Sequence, residues 1–330
     1  MARSLTTQRQ KPLLIKGANN MDVNTRQLKK NAFRVTKERG LTASRIRVPG
    51  GHLYAELLPH LQEIAQKYGN GTLHITSRQG LEIPGIKFED RPKVNALLQP
   101  LIDKMNINQD APGTGYPAAG TRNISACIGS RVCQYACYDT TALAQRIEEA
   151  IFPNDLHFKV ALSGCPNDCA KARMQDFGII GMTLPQFESY RCVNCEACVN
   201  NCTKKSVGAL ATVNYRPERN EEKCIGCGEC VVRCPTRAWT RSEEQYFKLV
   251  LFGRTGRRNP RLAIDFIKWA DADSIVKIIT NTYDYVKEYI APDAPEGKEH
   301  IGYIVDRTGV QEYLKWAMKD VSLPSRAEVA

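Results

Sequence analysis

Four cysteines in two short segments could bind one iron–sulfur cluster. Cys127 and Cys133 are spaced C-x5-C in the segment CIGSRVC, and Cys165 and Cys169 are spaced C-x3-C in SGCPNDCAKA. Four thiolates are the ligand set of a [4Fe–4S] cluster. The glycine, proline and asparagine around Cys165 predict a tight loop, in which the backbone can approach a cofactor closely.

Eight more cysteines form an internal duplication that is typical of two-cluster ferredoxins. The segments CVNCEACVNNC and CIGCGECVVRC both read C-x2-C-x2-C-x3-C. In such ferredoxins the fourth cysteine of each run binds the other cluster. This rule predicts one ligand set of Cys192, Cys195, Cys198 and Cys234, and a second set of Cys224, Cys227, Cys230 and Cys202. One departure from the pattern is that Pro235 follows Cys234, whereas Thr203 follows Cys202.

A pair of zinc sites is the alternative for these eight cysteines, because C-x2-C spacing also suits zinc. A zinc ribbon needs only two such pairs for each ion, so it would leave the regular C-x2-C-x2-C spacing unexplained. Iron–sulfur binding is therefore the preferred interpretation. The thirteenth cysteine, Cys137, fits none of these spacings, and we expect it to be a buried structural thiol.

Composition narrows the class of protein further. The chain has 330 residues and a net charge of +11, with 42% hydrophobic and 25% charged residues. This length predicts two or three domains, and no apolar run is long enough to span a membrane. The amino terminus lacks the apolar core and cleavage site of a signal peptide, so we expect a cytoplasmic protein with reduced cysteines. Its dispersed Lys and Arg favour an anionic substrate or a carboxylate-rich cofactor over nucleic acid.

The elements that position the cysteines can be predicted from hydrophobic periodicity. We expect helices over 24–40, 57–69, 91–106 and 140–151, and strands over 44–54, 71–86 and 176–184. A strand within 157–169 should end at the second cysteine pair, with a helix after it. Beyond a further strand and turn over 247–263, two or three helices should lead to the carboxyl terminus. The Gly-, Pro- and Ala-rich stretch 111–120 is a predicted domain boundary.

Four further motifs carry a resemblance to a known family. RVPGG (Arg47–Gly51), TSRQ (Thr76–Gln79), TRNI (Thr121–Ile124) and HFKVALSGCPNDC (His157–Cys169) occur in this order. With the cysteine pairs they resemble the sirohaem sulfite and nitrite reductases, in which a [4Fe–4S] cluster shares a cysteine thiolate with the sirohaem iron. The resemblance extends over about residues 30–285. It implies that Cys127, Cys133, Cys165 and Cys169 hold this cluster, and that Cys169 is the shared ligand.

The resemblance also implies roles for polar residues. Those matching Arg47, Arg122 and Lys159 bind the sulfite oxygens and help to deliver protons, and Arg122 also contacts the cofactor. Arg78 and Gln79 match a position that holds the carboxylates of the macrocycle, and Asn167 is a further expected cofactor ligand. Burying such anions without cationic partners would cost about several kcal/mol per charge. For any single arginine, a surface ion pair is the alternative.

One departure from the family pattern concerns proton delivery. Many relatives have two lysines flanking an aromatic residue, whereas the segment HFK offers His157 and Lys159. Histidine titrates near neutral pH and could donate a proton. We therefore expect His157 to replace one lysine as a distal proton donor; the alternative is a neutral packing residue.

The fold that the resemblance implies is α+β. It consists of a ferredoxin-like sulfite-reductase half-domain and a sirohaem/[4Fe–4S] α/β domain, interrupted by an inserted two-cluster bacterial ferredoxin domain. The expected parts are an N-terminal tail (1–22), the half-domain (23–110), the first part of the sirohaem domain (111–186), the ferredoxin insert (187–241), and the remainder with its C-terminal helices (242–330).

The implied activity is six-electron reduction of sulfite to sulfide, with electrons passing through two ferredoxin-type clusters to the sirohaem-coupled cluster. Sirohaem nitrite reductase and a non-catalytic multi-cluster electron-transfer subunit are the alternatives. No dinucleotide fingerprint is present, so a nicotinamide-dependent activity would need other subunits. The resemblance implies a flavin-containing NADH-oxidising subunit and an additional iron–sulfur subunit, or else a free ferredoxin as donor. Because relatives pair two fused halves, this single unit should form a homodimer or a heteromer.

Overall fold

The computed structural model divides the chain into two compact units. The first unit comprises Met1–Arg47 and Leu53–Ala119, and the second comprises Val48–His52 and Gly120–Ala330. The described residues are 14–16, 22–24, 28, 32–107, 113, 115, 122–154, 156–256, 258–294 and 298–330. Most of the predicted boundary at 111–120 lies outside them. Within these described ranges no helix is long and apolar enough to cross a membrane.

The described part of the first unit contains an antiparallel sheet and two α-helices of eight or more residues. Its elements are β1 (Leu14–Lys16), β2 (Asp22–Asn24), β3 (Phe33–Val35), β4 (Leu41–Ile46), α1 (Leu58–Lys67), β5 (His74–Ile75), β6 (Leu81–Lys87) and α2 (Arg91–Lys104). The sheet order is β3-β4-β6-β5, and β1 pairs with β2. On α2, Val94, Leu98 and Leu101 are buried at helical spacing, which explains why this segment is a helix despite an internal proline.

The predicted helix over 24–40 is wrong in its second half. Phe33–Val35 is a strand that pairs antiparallel with β4. Ala32 just before it has a φ of +60°, which a continuing right-handed helix does not allow. Pairing with β4 and burial of Phe33 therefore override the helical pattern of the sequence. The predicted tail lies mostly outside the described residues, but Leu14–Lys16 within it is a strand.

The predicted strand over 71–86 is a hairpin of β5 and β6. The turn between them is closed by Thr76, whose backbone N–H donates to the Gly80 carbonyl at 2.8 Å. The Thr76 hydroxyl also accepts from the Gly80 N–H at 3.0 Å. Gln79 has a φ of +63°, as a tight turn requires. The motif TSRQ therefore forms a turn and not the middle of a strand.

The second unit contains a six-stranded sheet and an inserted segment. Its strands are β7 (Ser125–Ala126), β8 (Val160–Ser163), β9 (Phe177–Met182), β10 (Pro185–Phe187), β11 (Leu210–Val213), β12 (Arg216–Arg219), β13 (Trp239–Arg241), β14 (Tyr246–Leu251), β15 (Ile264–Ala270) and β16 (Glu328–Val329). The sheet order is β16-β15-β14-β9-β8-β7. β7, β8 and β9 are parallel to one another, and the remaining pairs are antiparallel.

Six helices accompany these strands in the described part of the second unit. They are α3 (Thr140–Ile151), α4 (Ala197–Lys205), α5 (Glu229–Arg233), α6 (Ala272–Tyr289), α7 (Ile301–Thr308) and α8 (Val310–Ala317). The bounds of α3 agree with the prediction, because Asp139 caps it by accepting from the backbone N–H groups of Thr141 and Ala142. The predicted C-terminal helices are confirmed as three. The helix expected after Cys169 is wrong: only a 3₁₀ turn, Ala172–Met174, is present.

The main core lies between one face of the six-stranded sheet and the helices. Phe158 belongs to it and stacks on Phe177 and Tyr283, with ring centroids 5.3 Å and 4.5 Å apart. Side chains alternate along a strand, so the residues on either side of Phe158 point to the opposite face. The inserted segment begins and ends at β10 and β13, which pair antiparallel and bring Phe187 and Trp239 into ring contact at 4.8 Å.

Candidate functional site

Two of the four cysteines in the C-x5-C and C-x3-C pairs follow neighbouring parallel strands. Cys127 comes directly after β7, and Cys165 comes two residues after β8. The Cys127 N–H donates to the Leu162 carbonyl at 3.0 Å, so the two strands end side by side. We call this edge of the sheet, with Cys127, Cys133, Cys165 and Cys169, the thiol end.

The four thiols of the thiol end lie close enough to influence one another. Burial raises the pKa of Cys165, a backbone hydrogen bond opposes this, and the thiols of Cys133, Cys127 and Cys169 raise it further. Such mutual effects require short separations. The donor set therefore fits a [4Fe–4S] cluster, whose iron would take the place of the thiol protons.

Two N–H groups point at sulfur atoms in the thiol end. The Gly164 N–H donates to Cys127 Sγ at 3.0 Å, and Asn167 Nδ2 donates to Cys169 Sγ at 3.1 Å. Donors of this kind stabilise thiolate charge and tune cluster potentials. A Cβ at position 164 would lie 2.6 Å from the Ala136 Cβ, so only glycine fits there. Asn167, predicted as a cofactor ligand, thus contacts the thiol predicted to be shared.

Asp168 holds the loop that carries Cys165 and Cys169. Its Oδ1 accepts from the Ser163 hydroxyl and from the Ala172 N–H, both at 2.7 Å. Asp168 itself has a φ of +50°, so these bonds stabilise a backbone conformation that most residues avoid. Sequence reasoning missed this positioning role, although an Asp in a Pro-Asn-Asp turn is a common signal for it.

The two cysteine runs of the insert adopt the same backbone conformation. φ is positive at the residue before the second cysteine and at the residue after it, in both runs. These residues are Asn194 and Glu196 in the first run, and Gly226 and Gly228 in the second. Both helices that follow, α4 and α5, begin at equivalent positions. The duplication predicted from sequence is therefore present in the structure.

The thiols of the insert lie in two groups, and each group contains cysteines from both runs. One open pocket of about 370 Å³, solvent-facing space included, is lined by Cys192, Cys195, Cys198 and Cys234. In the other group, burial raises the pKa of Cys227, and the thiols of Cys224 and Cys202 add to the rise. The fourth cysteine of each run thus lies beside the other run.

The difference between Thr203 and Pro235 changes helix length. Thr203 continues α4 to Lys205, and its hydroxyl donates to the Val199 carbonyl at 3.2 Å. Pro235 has no N–H to extend α5, which ends at Arg233. Both fourth cysteines still accept a backbone N–H bond, Cys202 from Ala209 at 3.2 Å and Cys234 from Ala238 at 3.1 Å.

Basic residues lie at the opposite, amino-terminal ends of the same parallel strands. The Arg122 N–H donates to the Phe158 carbonyl, and the Phe177 N–H donates to the Lys159 carbonyl. His157 and Lys159 flank Phe158, whose side chain belongs to the core. The charges of Arg122, Lys159 and Lys298 all act on His157. We call these three side chains, with His157, the cationic end.

His157 differs from the sequence expectation in its charge. It is buried, and neither ring nitrogen has a hydrogen-bond partner among the described residues. Burial lowers its pKa to about 2, and the charges of Arg122, His300, Lys159 and Lys298 contribute to the decrease. The imidazole is therefore neutral at physiological pH unless its surroundings change, and does not by itself act as a charged donor.

Sequence reasoning missed His300, Asp176 and Lys298. His300 Nδ1 lies 2.8 Å from Asp176 Oδ1, and its ring packs edge-to-face on His157 at 4.8 Å. Asp176 immediately precedes β9, where its position beside Lys159 follows from sheet topology. No motif marks these residues, because Lys298 and His300 come from a distant segment.

The remaining predicted residues lie in the first unit. Arg47 follows β4 and is 9% exposed, which is unusual for an arginine. Arg78 and Gln79 occupy the turn between β5 and β6, and both are half-buried. The turn thus presents two polar side chains at one tip.

Cys137, predicted to be a buried structural thiol, is half-buried. Arg241 Nη1 donates to its Sγ at 3.1 Å, and Nη2 donates to the Gln134 carbonyl at 2.9 Å. Burial raises the pKa of Cys137 to about 11; Arg241 opposes this, whereas Cys165 and Cys227 reinforce it. Cys137 therefore lies between the thiol end and the second cysteine run.

Comparison with known proteins identifies the family. Residues 118–324 match the family described as "Nitrite and sulphite reductase 4Fe-4S domain", and residues 34–101 match the family described as "Nitrite/Sulfite reductase ferredoxin-like half domain". One of the subunits of anaerobic sulfite reductase from Salmonella typhimurium is 41% identical over 91% of this chain and 90% of its own length. Coenzyme F420-dependent sulfite reductase of Methanocaldococcus jannaschii is 31% identical over 51% of this chain and 26% of its own length.

Two solved structures share the fold. Dissimilatory sulfite reductase I superposes with a TM-score of 0.64 at 16% identity, covering 86% of this chain and 70% of its own. Mycobacterium tuberculosis NirA superposes with a TM-score of 0.60 at 14% identity, covering 94% of this chain and 50% of its own. The matched domains span both units and include every cysteine of the thiol end. The chain belongs to the nitrite and sulfite reductase family, whose members are oxidoreductases.

Proposed function

We propose that this chain reduces sulfite to sulfide. The observation that carries the proposal is the placement of cysteines at one end of the parallel strands β7 and β8 and of Arg122 and Lys159 at the other end, where the charge of Lys298 also acts on His157. Thiols provide a cluster site, and half-buried cations provide an anion site. The similarity to one polypeptide of a sulfite reductase over nine-tenths of the chain supports sulfite as that anion.

Cys169 is the proposed shared ligand of a [4Fe–4S] cluster and sirohaem. Its thiol is exposed and carries a hydrogen bond from Asn167, which would stabilise its negative charge. When bound, the coupled cofactor supplies electrons and a metal to which the sulfur of sulfite binds. Arg78 and Gln79, by their motif, are proposed to hold carboxylates of the macrocycle, for which arginine provides a bidentate donor.

The chain's own contribution to catalysis is charge and protons. Arg122 and Lys159 are proposed to bind the sulfite oxygens, and Arg47 is included by its motif. Positive charge there would polarise the S–O bonds and stabilise each oxygen as it leaves. Each departing oxygen takes two protons and leaves as water, so the three oxygens of sulfite consume six protons and six electrons.

Two ferredoxin-type clusters are proposed to carry electrons through the insert. Cys192, Cys195, Cys198 and Cys234 would hold one, and Cys202, Cys224, Cys227 and Cys230 the other. The pocket shared by the first set and the mutual pKa effects within the second support this grouping. Regular C-x2-C-x2-C spacing in both runs, with matching backbone conformations, favours iron–sulfur clusters over zinc.

The proposed direction of electron transfer rests on the solvent exposure of the two cysteine runs. Cys195 and Val193 of the first run are exposed, so electron entry is proposed there. The second run packs against the sheet: the Thr183 N–H donates to the Gly226 carbonyl at 2.9 Å. Arg241 contacts Cys137, whose N–H donates to the Gly164 carbonyl at 2.7 Å beside Cys165. Exit to the thiol end is therefore proposed through the second run.

Partners are proposed from the relative's description as one subunit of a larger enzyme. A flavin-containing NADH-oxidising subunit and an additional iron–sulfur subunit would supply electrons, with a free ferredoxin as the alternative donor. A homodimer or heteromer is expected. Size measurement of the purified chain, alone and with such subunits, tests this assembly.

Absorption spectroscopy and dye oxidation test the proposed function. Anaerobically purified protein should show sirohaem bands and about twelve cluster irons, four for each of three clusters. It should oxidise reduced viologen when sulfite is added, with sulfide as product. The matched variants are Cys169→Ser and Cys137→Ser, of which only the first should abolish turnover.

Other outcomes identify the alternatives. Turnover with nitrite and none with sulfite would assign a nitrite reductase. Iron–sulfur absorption without sirohaem bands, from cells that make sirohaem, would assign an electron-transfer subunit. Zinc in place of iron at the insert would overturn the relay while leaving the thiol end untouched.

A further inference from the structure

His157, Asp176 and His300 form a buried group outside the cysteine sites. One side-chain nitrogen or oxygen from each lies within 4.8 Å of the other two. The parallel register of β8 and β9 places Asp176 beside Lys159, two residues after His157. His300 comes from the segment before α7 and completes the group.

His157 carries hydrogen-bonding capacity that the described part of the protein does not satisfy. A neutral imidazole has one N–H donor and one lone pair, yet both ring nitrogens are buried without partners among described residues. An unsatisfied buried polar group destabilises the folded protein. Two such atoms on one ring, with three cations acting on it, indicate a position that is completed by a ligand.

The charges around the group decide which ligand is suitable. Two histidines and a carboxylate are donors that suit zinc or iron. However, Arg122, Lys159 and Lys298 all act on His157, and three cations would repel a metal dication. An anion has the opposite effect, because it offsets the cations and removes the main electrostatic obstacle to protonating the ring.

Asp176 and His300 provide a route for a proton. Asp176 is fully buried, and its Oδ1 lies 2.8 Å from His300 Nδ1, whereas its Oδ2 has no partner among described residues. A neutral His300 whose proton is on Nδ1 would donate to this carboxylate oxygen. The His300 side chain is 20% exposed, so it reaches solvent while its ring contacts His157.

We propose that anion binding at the cationic end drives uptake of one proton by His157, delivered from solvent by the His300–Asp176 pair. The proposal rests on the proposed function for the identity of the anion. The proton comes from water and binds the lone-pair nitrogen of His157. It is then transferred to a departing sulfite oxygen, His157 returns to its neutral form, and no electron is exchanged with the ring. Asp176 and His300 are positioning residues, since they act through His157.

Calorimetric titration of the holoenzyme tests the proposal. Sulfite and nitrite are each titrated in slightly alkaline phosphate and in Tris, whose different ionisation enthalpies reveal protons taken up on binding. Native protein should take up about one proton for each bound anion. His157→Gln should bind the anion without taking up a proton. The control variant His60→Gln, changed on α1 of the first unit, should take up as many protons as the native protein.

A stopped-flow measurement with a pH indicator tests the route. Asp176→Asn should leave the final uptake unchanged and slow it by about tenfold or more, because proton transfer by a positioned group typically contributes about 10²–10⁴-fold. A purely structural role for Asp176 would alter the anion affinity and leave the rate of uptake unchanged.

The outcomes separate this proposal from the proposed function. Failure of the native holoenzyme to bind either anion overturns both. Anion binding without proton uptake in the native protein overturns the proton proposal alone, and needs no variant to fold. One zinc or iron beyond the clusters and sirohaem, lost in His157→Gln, would also overturn it.

Discussion

The thiol end and the cationic end share the parallel strands β7 and β8 but are assembled differently. At the thiol end, Asn167 donates to Cys169 two residues away, Asp168 accepts bonds within the same loop, and Gly164 of that loop donates to Cys127 Sγ from the neighbouring strand. At the cationic end, Arg122, Lys159 and Lys298 come from segments far apart in the chain. Hydrogen bonds near the cysteines hold the thiol end, whereas the cationic end is brought together by the tertiary fold.

The two ends should also differ in how strongly a bound ligand changes them. The thiol end holds its loops in place through bonds that do not involve the cofactor. At the cationic end, burial and the repulsion of like charges both lower the pKa of His157 and so disfavour its charged form. An anion removes that repulsion, so the cationic end should respond to ligand binding far more than the thiol end.

The largest expected effect comes from removing the thiol that the two cofactors are proposed to share. Cys169→Ser should lose sirohaem together with about four cluster irons, because one coordinating thiolate is absent. Iron analysis and visible spectra measure this, and both insert clusters should remain. Cys137→Ser is the control and should keep full cofactor content; retention of sirohaem in Cys169→Ser would exclude Cys169 as the shared ligand.

The next largest effect should come from the cationic end. Lys159→Met should reduce sulfite turnover by about 10²–10³-fold, as expected when one charge-stabilising donor is removed. Steady-state rates with reduced viologen measure the loss, and the cofactor spectrum should be unchanged. Lys205→Met, exposed on α4, is the control. Equal loss of sirohaem in Lys159→Met would assign the lysine to cofactor retention.

Asp168→Ala tests whether local bonds keep the thiol end in place. Loss of its bonds to Ser163 and Ala172 should release the loop and make cluster loss about 10–100-fold faster under chelator. The decay of visible absorption measures this rate. Asp293→Ala, at an exposed position, should not change it. An unchanged rate in Asp168→Ala would mean that the cysteines alone hold the loop.

The smallest effect is a pH dependence of stability due to His157. An unfolded imidazole takes up a proton as pH falls through about 6.5, while folded His157 stays neutral to about 2. The unfolded state therefore binds more protons, and stability should fall with decreasing pH by up to about 1.4 kcal/mol per unit. Anaerobic unfolding near neutral and mildly acidic pH should show a shallower slope in His157→Gln than in His74→Gln. Equal slopes would mean that His157 is not held neutral.

Sequence reasoning succeeded where chemistry and spacing lie in one segment. The bounds of α3, with its Asp139 cap, follow from a local pattern that tertiary contacts did not override, and the duplicated cysteine runs share one backbone conformation. It failed over 71–86, where a turn at Gln79 breaks an alternating pattern. It also missed Asp176 and His300, because only the sheet order and a distant segment bring them to His157. The low pKa of His157 also depends on burial, which cannot be read from a sequence motif.

The matching positive φ angles of the two cysteine runs have a consequence for divergence of the duplicated copies. In the second run a Cβ at Gly226 would lie 3.0 Å from the Met182 Cβ, and one at Gly228 would lie 3.0 Å from Arg241 Nη1. The first run carries exposed Asn194 and Glu196 at the same places. Mutation can therefore alter the outer copy, and with it the surface proposed for electron entry, while the inner copy stays constrained. If that proposal holds, the chain could adopt new electron donors over evolutionary time without rebuilding the proposed connection to the thiol end.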